Sequence, residues 1–209
     1  MIKLYGTPPT RVIRALWLLN ELGLEYEMLP VGILSPEGVG QAFLDLNPAA
    51  KVPVLVDGKV VVSESVAIQL YLAEKHPRAG FIPDSVEDRA QMHRWNLFLV
   101  TEIEQPLWRI ARHQFIYPEA KRLSQDIPLA TAECQAMLAV FERHLAQREF
   151  VVGNRLSVAD FNAAYTLDWA NEFGMLDRAP RCQAFVKRMY ARPTAPPTIK
   201  QAFAAQQAG

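Results

Sequence analysis

Cysteine, glycine and long apolar runs are all scarce in this sequence, which has only 2 cysteines and 10 glycines among 209 residues. Cys134 and Cys182 belong to no Cys-x-x-Cys pair, so a disulfide scaffold is not expected. No apolar run approaches the roughly 18–20 residues that span a bilayer, so no membrane segment is expected. The 22 Lys and Arg are balanced by 22 Asp and Glu, which argues against nonspecific nucleic-acid binding.

What is present is the composition of a folded globular protein, with 50% hydrophobic and 21% charged residues. This length accommodates one large domain or two small ones. The first five residues lead directly into a Gly-Thr-Pro-Pro turn, which leaves no room for the apolar core of a signal peptide. The four histidines show no metal-ligand spacing. We therefore expect a cytoplasmic protein without a metal.

The first 77 residues alternate strand and helix patterns, which predicts a small α/β domain. The Asp57-Gly58 pair between two short β-prone runs is a strong hairpin signal. Gly23 and His76-Pro77 are expected helix stops. The predicted elements are a strand at 2–5, a helix from about Thr10, a strand at 26–31, a loop at 32–40, a short helix at 42–46, strands at 53–56 and 59–62, and a helix from 63–65 onward.

The rest of the chain has helical periodicity throughout, so we expect an all-α domain at 87–209 after a linker at 78–86. Pro106 lacks a backbone N–H and is expected to bend the first long helix of this domain. The predicted helices cover residues 86–112, 128–147, 157–173 and 180–192, with a short piece after Pro197.

A helix-start signature lies at 153–161, Gly-Asn-Arg-Leu-Ser-Val-Ala-Asp-Phe. Ser157 is the expected N-cap, and Asp160 three residues later can accept a hydrogen bond from the backbone N–H of Ser157. Such a capping box builds a helix and performs no chemistry. We therefore predict a structural role for both residues.

Two short motifs in the first part are candidates for ligand binding. Lys51-Val52-Pro53 is either an ordinary strand edge or a cis-proline turn that turns the backbone of Val52 outward toward an extended peptide. Glu64 and Ser65 either cap a helix or form a two-part site, in which Ser65 at the helix N-terminus binds a carboxylate and Glu64 binds an ammonium. Those two groups together describe the amino-acid end of a γ-glutamyl peptide.

Over nearly its whole length the sequence resembles the cytosolic glutathione S-transferases. The matching residues are Leu46-Asn47-Pro48, Lys51 to Leu55, Asp57-Gly58, Glu64 to Ile68 and the capping segment 153–161. The resemblance implies a thioredoxin-like α/β N-terminal domain and an all-α C-terminal domain. It also implies that glutathione, as cosubstrate, binds to Lys51, Val52, Pro53, Glu64 and Ser65, with Lys51 near the glycyl carboxylate and Pro53 in the cis form.

The same resemblance places the group that activates the glutathione thiol in the first turn of the first helix. If the sequence is aligned with the family at Arg11, Thr7 occupies the position of the activating residue. If it is aligned at Gly6, Thr10 occupies that position, where the family has serine or tyrosine. Thr10 is otherwise an N-cap, and Thr7 is otherwise a turn residue. Arg11 and Arg14 either lie on a solvated surface or add positive potential near the thiolate.

The resemblance further implies an acceptor-substrate pocket with Trp95, Leu99 and Arg109, although such a stripe is more often core. The predicted activity is conjugation of the glutathione thiolate to small hydrophobic electrophiles by a homodimeric enzyme. Two alternatives stay open at this point, a glutathione-dependent peroxide or disulfide reductase and a non-catalytic interaction domain. The threonine in place of serine favours the first, and the Glu64-Ser65 pair argues against the second.

Overall fold

A computed structural model describes residues 1–32 and 39–208, so positions 33–38 of the predicted loop lie outside the described residues. The chain divides into two compact units. The first comprises Met1–Ile82 together with Tyr190–Gly209, and the second comprises Pro83–Met189. The prediction of a thioredoxin-like α/β part followed by a helical part is confirmed.

The first unit contains a four-stranded mixed sheet with the strand order β2-β1-β3-β4. β1 pairs in parallel with β2, and the β1–β3 and β3–β4 pairs are antiparallel. The strands are β1 (Ile2–Tyr5), β2 (Tyr26–Leu29), β3 (Val54–Asp57) and β4 (Val60–Ser63), and the helices are α1 (Val12–Glu21), α2 (Gln41–Leu46) and α3 (Ser65–Lys75).

The core of the first unit forms between the sheet and the helices α1 and α3. Leu4, Leu55, Ile68 and Leu72 are fully buried there. The predicted hairpin is present but shifted by one residue, since Asp57 pairs with Val60 and the two-residue turn is therefore Gly58-Lys59. Extending the ladder through Asp57 also places its carboxylate within reach of the Tyr71 hydroxyl, at 2.9 Å.

The second unit is helical. Pro106 has no N–H to continue the regular hydrogen-bond pattern, and the turn before it, Leu99–Glu104, is π-helical rather than sharply interrupted. A second π-helical segment covers Arg112–Ile116. The α-helices are α4 (Val86–Phe98), α5 (Gln105–Ala111), α6 (Asp126–His144), α7 (Val158–Glu172) and α8 (Pro180–Tyr190).

α7 is the central helix of the second unit, and nearly all of its residues are buried. Its polar side chains therefore find partners on neighbouring helices. The Asn162 amide donates to the side-chain oxygen of Asn96 on α4 at 3.0 Å and to its backbone carbonyl at 3.3 Å. This pairing fixes α7 against α4 through directional bonds as well as apolar contact.

The C-terminal stretch, which includes α9 (Ile199–Ala208), belongs to the first unit rather than to the helical one. The Tyr190 ring packs on Trp17 of α1 with ring centroids 4.7 Å apart, and the Asn20 amide donates to the Thr194 carbonyl at 3.2 Å. The sequence instead predicts that residues 87–209 form one helical domain. Helical periodicity does not reveal which unit a terminal helix joins.

Candidate functional site

The sheet register gathers the predicted binding residues at one end of the first unit. Val54 pairs with Tyr5 on one side and with Ser63 on the other. Because both pairs are antiparallel, the residue after β1, the residue before β3 and the residue after β4 all leave the sheet at this end. The three adjoining segments are Gly6–Thr7, Val52–Pro53 and Glu64–Ser65, and together they form what we call the sheet-end site.

Gly6 brings the first of these segments against the second. Its φ is +109°, and a Cβ atom there would lie 2.6 Å from Val12 Cγ2 and 2.8 Å from Val52 Cβ. Real side chains do not tolerate such distances, so only glycine allows the turn after β1 to contact Val52. The Val52–Pro53 peptide bond is cis, as the resemblance implies. Pro53 is buried, whereas Val52 is half-buried.

The two candidate hydroxyls of the turn have different surroundings. The Thr10 hydroxyl donates to the Thr7 carbonyl at 2.7 Å and accepts from the backbone N–H of Val12 at 3.3 Å. The helix consequently begins at Val12 with Arg11 as its N-cap. Thr10, the N-cap expected from the sequence, therefore lies one residue before the observed cap. The hydroxyl proton of Thr10 is thus engaged by the turn itself. Thr7 is half-buried at the same turn.

The third segment combines an exposed carboxylate with a buried hydroxyl. Glu64 has a φ of +68° and is exposed. Ser65, the first residue of α3, is only 5% exposed. The N-terminus of an eleven-residue helix favours an anion, and the Glu64 carboxylate beside it favours a cation. The two halves of the predicted amino-acid site are therefore adjacent.

Arg14 lies next to this site, and its burial excludes one of the two alternatives that the sequence leaves open for it. Its side chain is 1% exposed rather than on a solvated surface, and its Nη1 donates to Ser65 Oγ at 3.2 Å. The Gln69 amide donates to the Arg14 carbonyl at 3.1 Å. One signal for this burial is present in the sequence, because Arg14 is the only charged residue in the apolar run between Arg11 and Glu21.

Lys51 lies at the rim of the sheet-end site and is exposed. Its backbone carbonyl accepts from the Asn47 amide at 2.8 Å, and the Asn47 side-chain oxygen accepts from the Ala49 N–H at 3.2 Å. Asn47 is 8% exposed. Its buried side chain thus shapes the loop that leads to Val52, a role that the Leu46-Asn47-Pro48 match did not specify.

The predicted acceptor residues lie in the second unit. Trp95 is 3% exposed, with its ring centroid 3.9 Å from that of His144, and Leu99 is fully buried. Arg109 forms ion pairs with Asp126 and Glu133, and its hydrogen bonds hold the pKa of Asp126 below the usual range. Both apolar residues are thus core within this unit. Their role in an acceptor pocket, and that of Arg109, stays a prediction.

Asp160 is fully buried at the start of α7 and forms a capping box with Ser157. Its Oδ2 accepts from the Ser157 backbone N–H at 2.8 Å and from the Ser157 hydroxyl at 3.0 Å, and its Oδ1 accepts from the Val151 N–H at 2.8 Å. Burial raises the pKa of Asp160 to about 6. All of these hydrogen bonds join groups of the chain itself, which agrees with the structural role predicted for Ser157 and Asp160.

Neither cysteine is in an environment that favours its thiolate form. Cys134 and Cys182 are free and fully buried, and burial raises the pKa of Cys134 to about 12 and also raises that of Cys182. Within residues 1–32 and 39–208, no three His, Cys, Asp or Glu side chains are grouped as metal ligands would be. In the same ranges no helix is both long and apolar enough to cross a membrane.

Two family models match the chain, one for each predicted domain. The glutathione S-transferase N-terminal domain matches residues 1–74, and the glutathione S-transferase C-terminal domain matches residues 102–193. The first match contains the whole sheet-end site. The second contains the capping box.

Individual relatives agree with the family models. Glutathione S-transferase 3 of Zea mays is 31% identical over 218 aligned positions that cover 95% of this chain and 93% of the relative. A theta class glutathione S-transferase from Xanthomonas axonopodis pv. citri, solved with glutathione bound, is 28% identical with a TM-score of 0.80 and covers 95% of this chain and 98% of its own. A glutathione transferase from Methylococcus capsulatus is 27% identical with a TM-score of 0.81 over the full length of both chains. The chain belongs to the glutathione S-transferase family.

Proposed function

We propose that this protein binds glutathione at the sheet-end site and transfers the glutathione thiolate to small hydrophobic electrophiles. The observation that carries the proposal is the strand register. It brings the backbone of Val52, the N-terminus of α3 and the Glu64 carboxylate to one end of the sheet. Glutathione offers complementary groups, namely a peptide unit, an α-carboxylate and an ammonium. The bound glutathione of the Xanthomonas relative supports the same ligand.

In this proposal each end of the tripeptide has its own partners. The Ser65 hydroxyl and the N-terminus of α3 bind the α-carboxylate of the γ-glutamyl unit, and Glu64 binds its ammonium. The backbone of Val52 pairs with the cysteinyl unit, next to the cis Val52–Pro53 bond. Lys51, exposed at the rim, lies toward the glycyl carboxylate. Charge-assisted hydrogen bonds of this kind are each worth about 1.5–3 kcal/mol.

Thr7 is the proposed activator of the thiol. A free thiol has a pKa of about 8.5, and lowering it by about 2 units requires about 2.7 kcal/mol of preferential thiolate stabilisation. One hydroxyl donor near a helix N-terminus provides stabilisation of that size. The Thr10 proton is directed to the Thr7 carbonyl, which leaves Thr7 as the better placed donor of the two.

The reaction is a displacement or an addition at an electrophilic carbon. With an aryl halide, the thiolate forms a carbon–sulfur bond, and the halide leaves with the electron pair of the broken carbon–halogen bond. The buried, high-pKa cysteines favour this reaction over disulfide exchange through a protein thiol. We further propose that the enzyme is a cytoplasmic homodimer, as the family resemblance implies.

The test measures binding and turnover separately. Isothermal titration with glutathione should show binding that Glu64→Gln and Ser65→Ala each weaken by about ten- to a hundredfold. Turnover is then followed with a chlorodinitrobenzene, by release of chloride, and in parallel with an organic hydroperoxide, by formation of glutathione disulfide. Turnover of the hydroperoxide alone would identify a peroxide reductase instead. Binding without either reaction would identify a non-catalytic domain.

A further inference from the structure

A buried cation lies directly behind the hydroxyl that begins α3. The Arg14 side chain is 1% exposed and Ser65 is 5% exposed, and the two are joined by the 3.2 Å bond from Arg14 Nη1 to Ser65 Oγ. A guanidinium is costly to bury unless its hydrogen bonds are directional and specific. Its placement against a binding-site hydroxyl therefore calls for a role beyond packing.

The chemistry of this hydrogen bond fixes its direction. A guanidinium has only donors, so Ser65 Oγ must be the acceptor. The single proton of the Ser65 hydroxyl is then free to point away from Arg14. A hydroxyl in this arrangement can direct its proton to an acceptor that lies in front of it, such as a carboxylate.

The position of Arg14 is itself fixed. The Gln69 amide, on the second turn of α3, donates to the Arg14 backbone carbonyl at 3.1 Å, and Gln69 is fully buried. Helices α1 and α3 are thus bonded to each other at two points, side chain to side chain and side chain to backbone. A shift of the Arg14 backbone away from α3 would break this second bond.

We propose that Arg14 is a positioning residue that acts through Ser65 and makes the sheet-end site selective for a carboxylate at the γ-glutamyl end of its ligand. This inference rests on the proposed function, since glutathione is the ligand considered. Arg14 polarises the Ser65 hydroxyl and occupies one of its two lone pairs, which orients the hydroxyl proton away from Arg14 and toward an acceptor. A ligand that lacks the α-carboxylate gains nothing from this arrangement.

The test compares two ligands across matched variants. Isothermal titration is performed with glutathione and with γ-aminobutyryl-cysteinyl-glycine, which is glutathione without its α-carboxylate. The variants are Arg14→Met, Arg14→Lys, Ser65→Ala and the double variant Arg14→Met/Ser65→Ala. Arg78→Met is the control, because Arg78 is exposed in the same unit and its replacement removes the same charge. Thermal unfolding of every variant reports on whether the fold is retained.

We expect Arg14→Met to weaken glutathione binding by about ten- to a hundredfold and to change binding of the shorter peptide by less than about threefold. Arg14→Lys retains a donor and a charge and should recover part of the loss. Arg78→Met should leave both affinities unchanged. In the Ser65→Ala background, Arg14→Met should cost glutathione binding much less, because the hydroxyl through which it acts is gone.

Equal weakening of both peptides by Arg14→Met would show a purely structural role and overturn the inference. Additive losses in the double variant would overturn it too, because Arg14 would then act independently of Ser65. If Arg14→Met does not fold, the affinities of Arg14→Lys and Ser65→Ala for the two peptides decide between a positioning role and a purely structural one. If the unaltered protein binds neither peptide, the proposed function fails first, and the inference fails with it.

Discussion

The Glu21 carboxylate and the Arg192 guanidinium form a two-pronged ion pair, with Nε–Oε1 and Nη2–Oε2 distances of 2.6 and 2.8 Å. The pair joins the last residue of α1 to the C-terminal stretch. The Glu21 side chain is 6% exposed and that of Arg192 is 33% exposed. The Thr194 hydroxyl donates to the same carboxylate. Arg192, near the C-terminus, thus supplies hydrogen bonds to the buried carboxylate of Glu21 in the first helix.

We expect Arg192→Met to destabilise the first unit by about 1–3 kcal/mol, because the Glu21 carboxylate would lose its main donor. Urea unfolding followed by tryptophan fluorescence, to which Trp17 against Tyr190 contributes, measures the change. Arg178→Met, at an exposed position in the second unit, is the matched control. Equal midpoints for the two variants would contradict the role given to this ion pair.

The pH dependence of this pair has a definite sign. Burial raises the pKa of Glu21, but its hydrogen bonds to Arg192 and Thr194 outweigh that effect and lower it. A carboxyl group with a lowered folded pKa contributes stability above its unfolded pKa, near 4.5, and loses that contribution as the pH falls through the folded value. The difference in unfolding free energy between the unaltered protein and Glu21→Gln should therefore shrink below about pH 4.5.

Asp160 should show the opposite trend. Burial raises its pKa from 3.8 to about 6, so the folded protein binds the proton more tightly than the unfolded chain does. Its contribution is complete below pH 3.8 and is lost as the pH rises through 6. The shift of about 2 units corresponds to roughly 3 kcal/mol. The unfolding free energy of Asp160→Asn, subtracted from that of the unaltered protein, should fall between pH 4 and pH 7, and a flat difference would contradict the shift.

Thr7→Ala should separate thiol activation from peptide binding. Without the hydroxyl, the pKa of bound glutathione should return toward its free value of about 8.5, and turnover at neutral pH should fall by about ten- to a hundredfold. Affinity should change little, since the glutamyl contacts provide most of the binding. Ultraviolet titration of the thiolate measures the effect, with Thr10→Ala as the comparison. A shift in Thr10→Ala alone would assign the role to the other hydroxyl.

Gly6→Ala should disrupt the sheet-end site by direct contact. The new Cβ would meet Val12 and Val52 at 2.6 and 2.8 Å, so Val52 must move. We expect at least a tenfold loss of glutathione affinity and a loss of about 2 kcal/mol or more in stability. Gly58→Ala is the matched control, because Gly58 also has a positive φ but has open space around it. Its affinity for glutathione should be unchanged.

Much of the first unit follows from local sequence. The strand at 2–5 coincides with β1, and the helix stops at Gly23 and His76 lie next to the observed ends of α1 and α3. These positions are determined by alternation, periodicity and stop residues, which act over a few residues. The hairpin is shifted by one residue because its register depends on pairing with β1, which a local turn signal does not contain.

The remaining details depend on specific side-chain contacts, one between distant segments and one within a single turn. The burial of Arg14 follows from its bond to Ser65, 51 residues away, and α1 begins late because Thr10 bonds back to the Thr7 carbonyl. The binding motifs at the sheet-end site can be recognised in the sequence from their residue types and from the family resemblance. Their proximity is a consequence of strand order, which no single motif encodes.

The attachment of Tyr190–Gly209 to the first unit has a consequence for synthesis of the chain. The ribosome completes all four strands before it makes the whole of Pro83–Met189, which takes roughly 5–20 s at typical elongation rates. During that interval Glu21 and Trp17 have been made but Arg192 and Tyr190 have not. The nascent first unit therefore lacks the Arg192 partner of Glu21 and the Tyr190 ring that packs on Trp17 until synthesis of the second unit is complete.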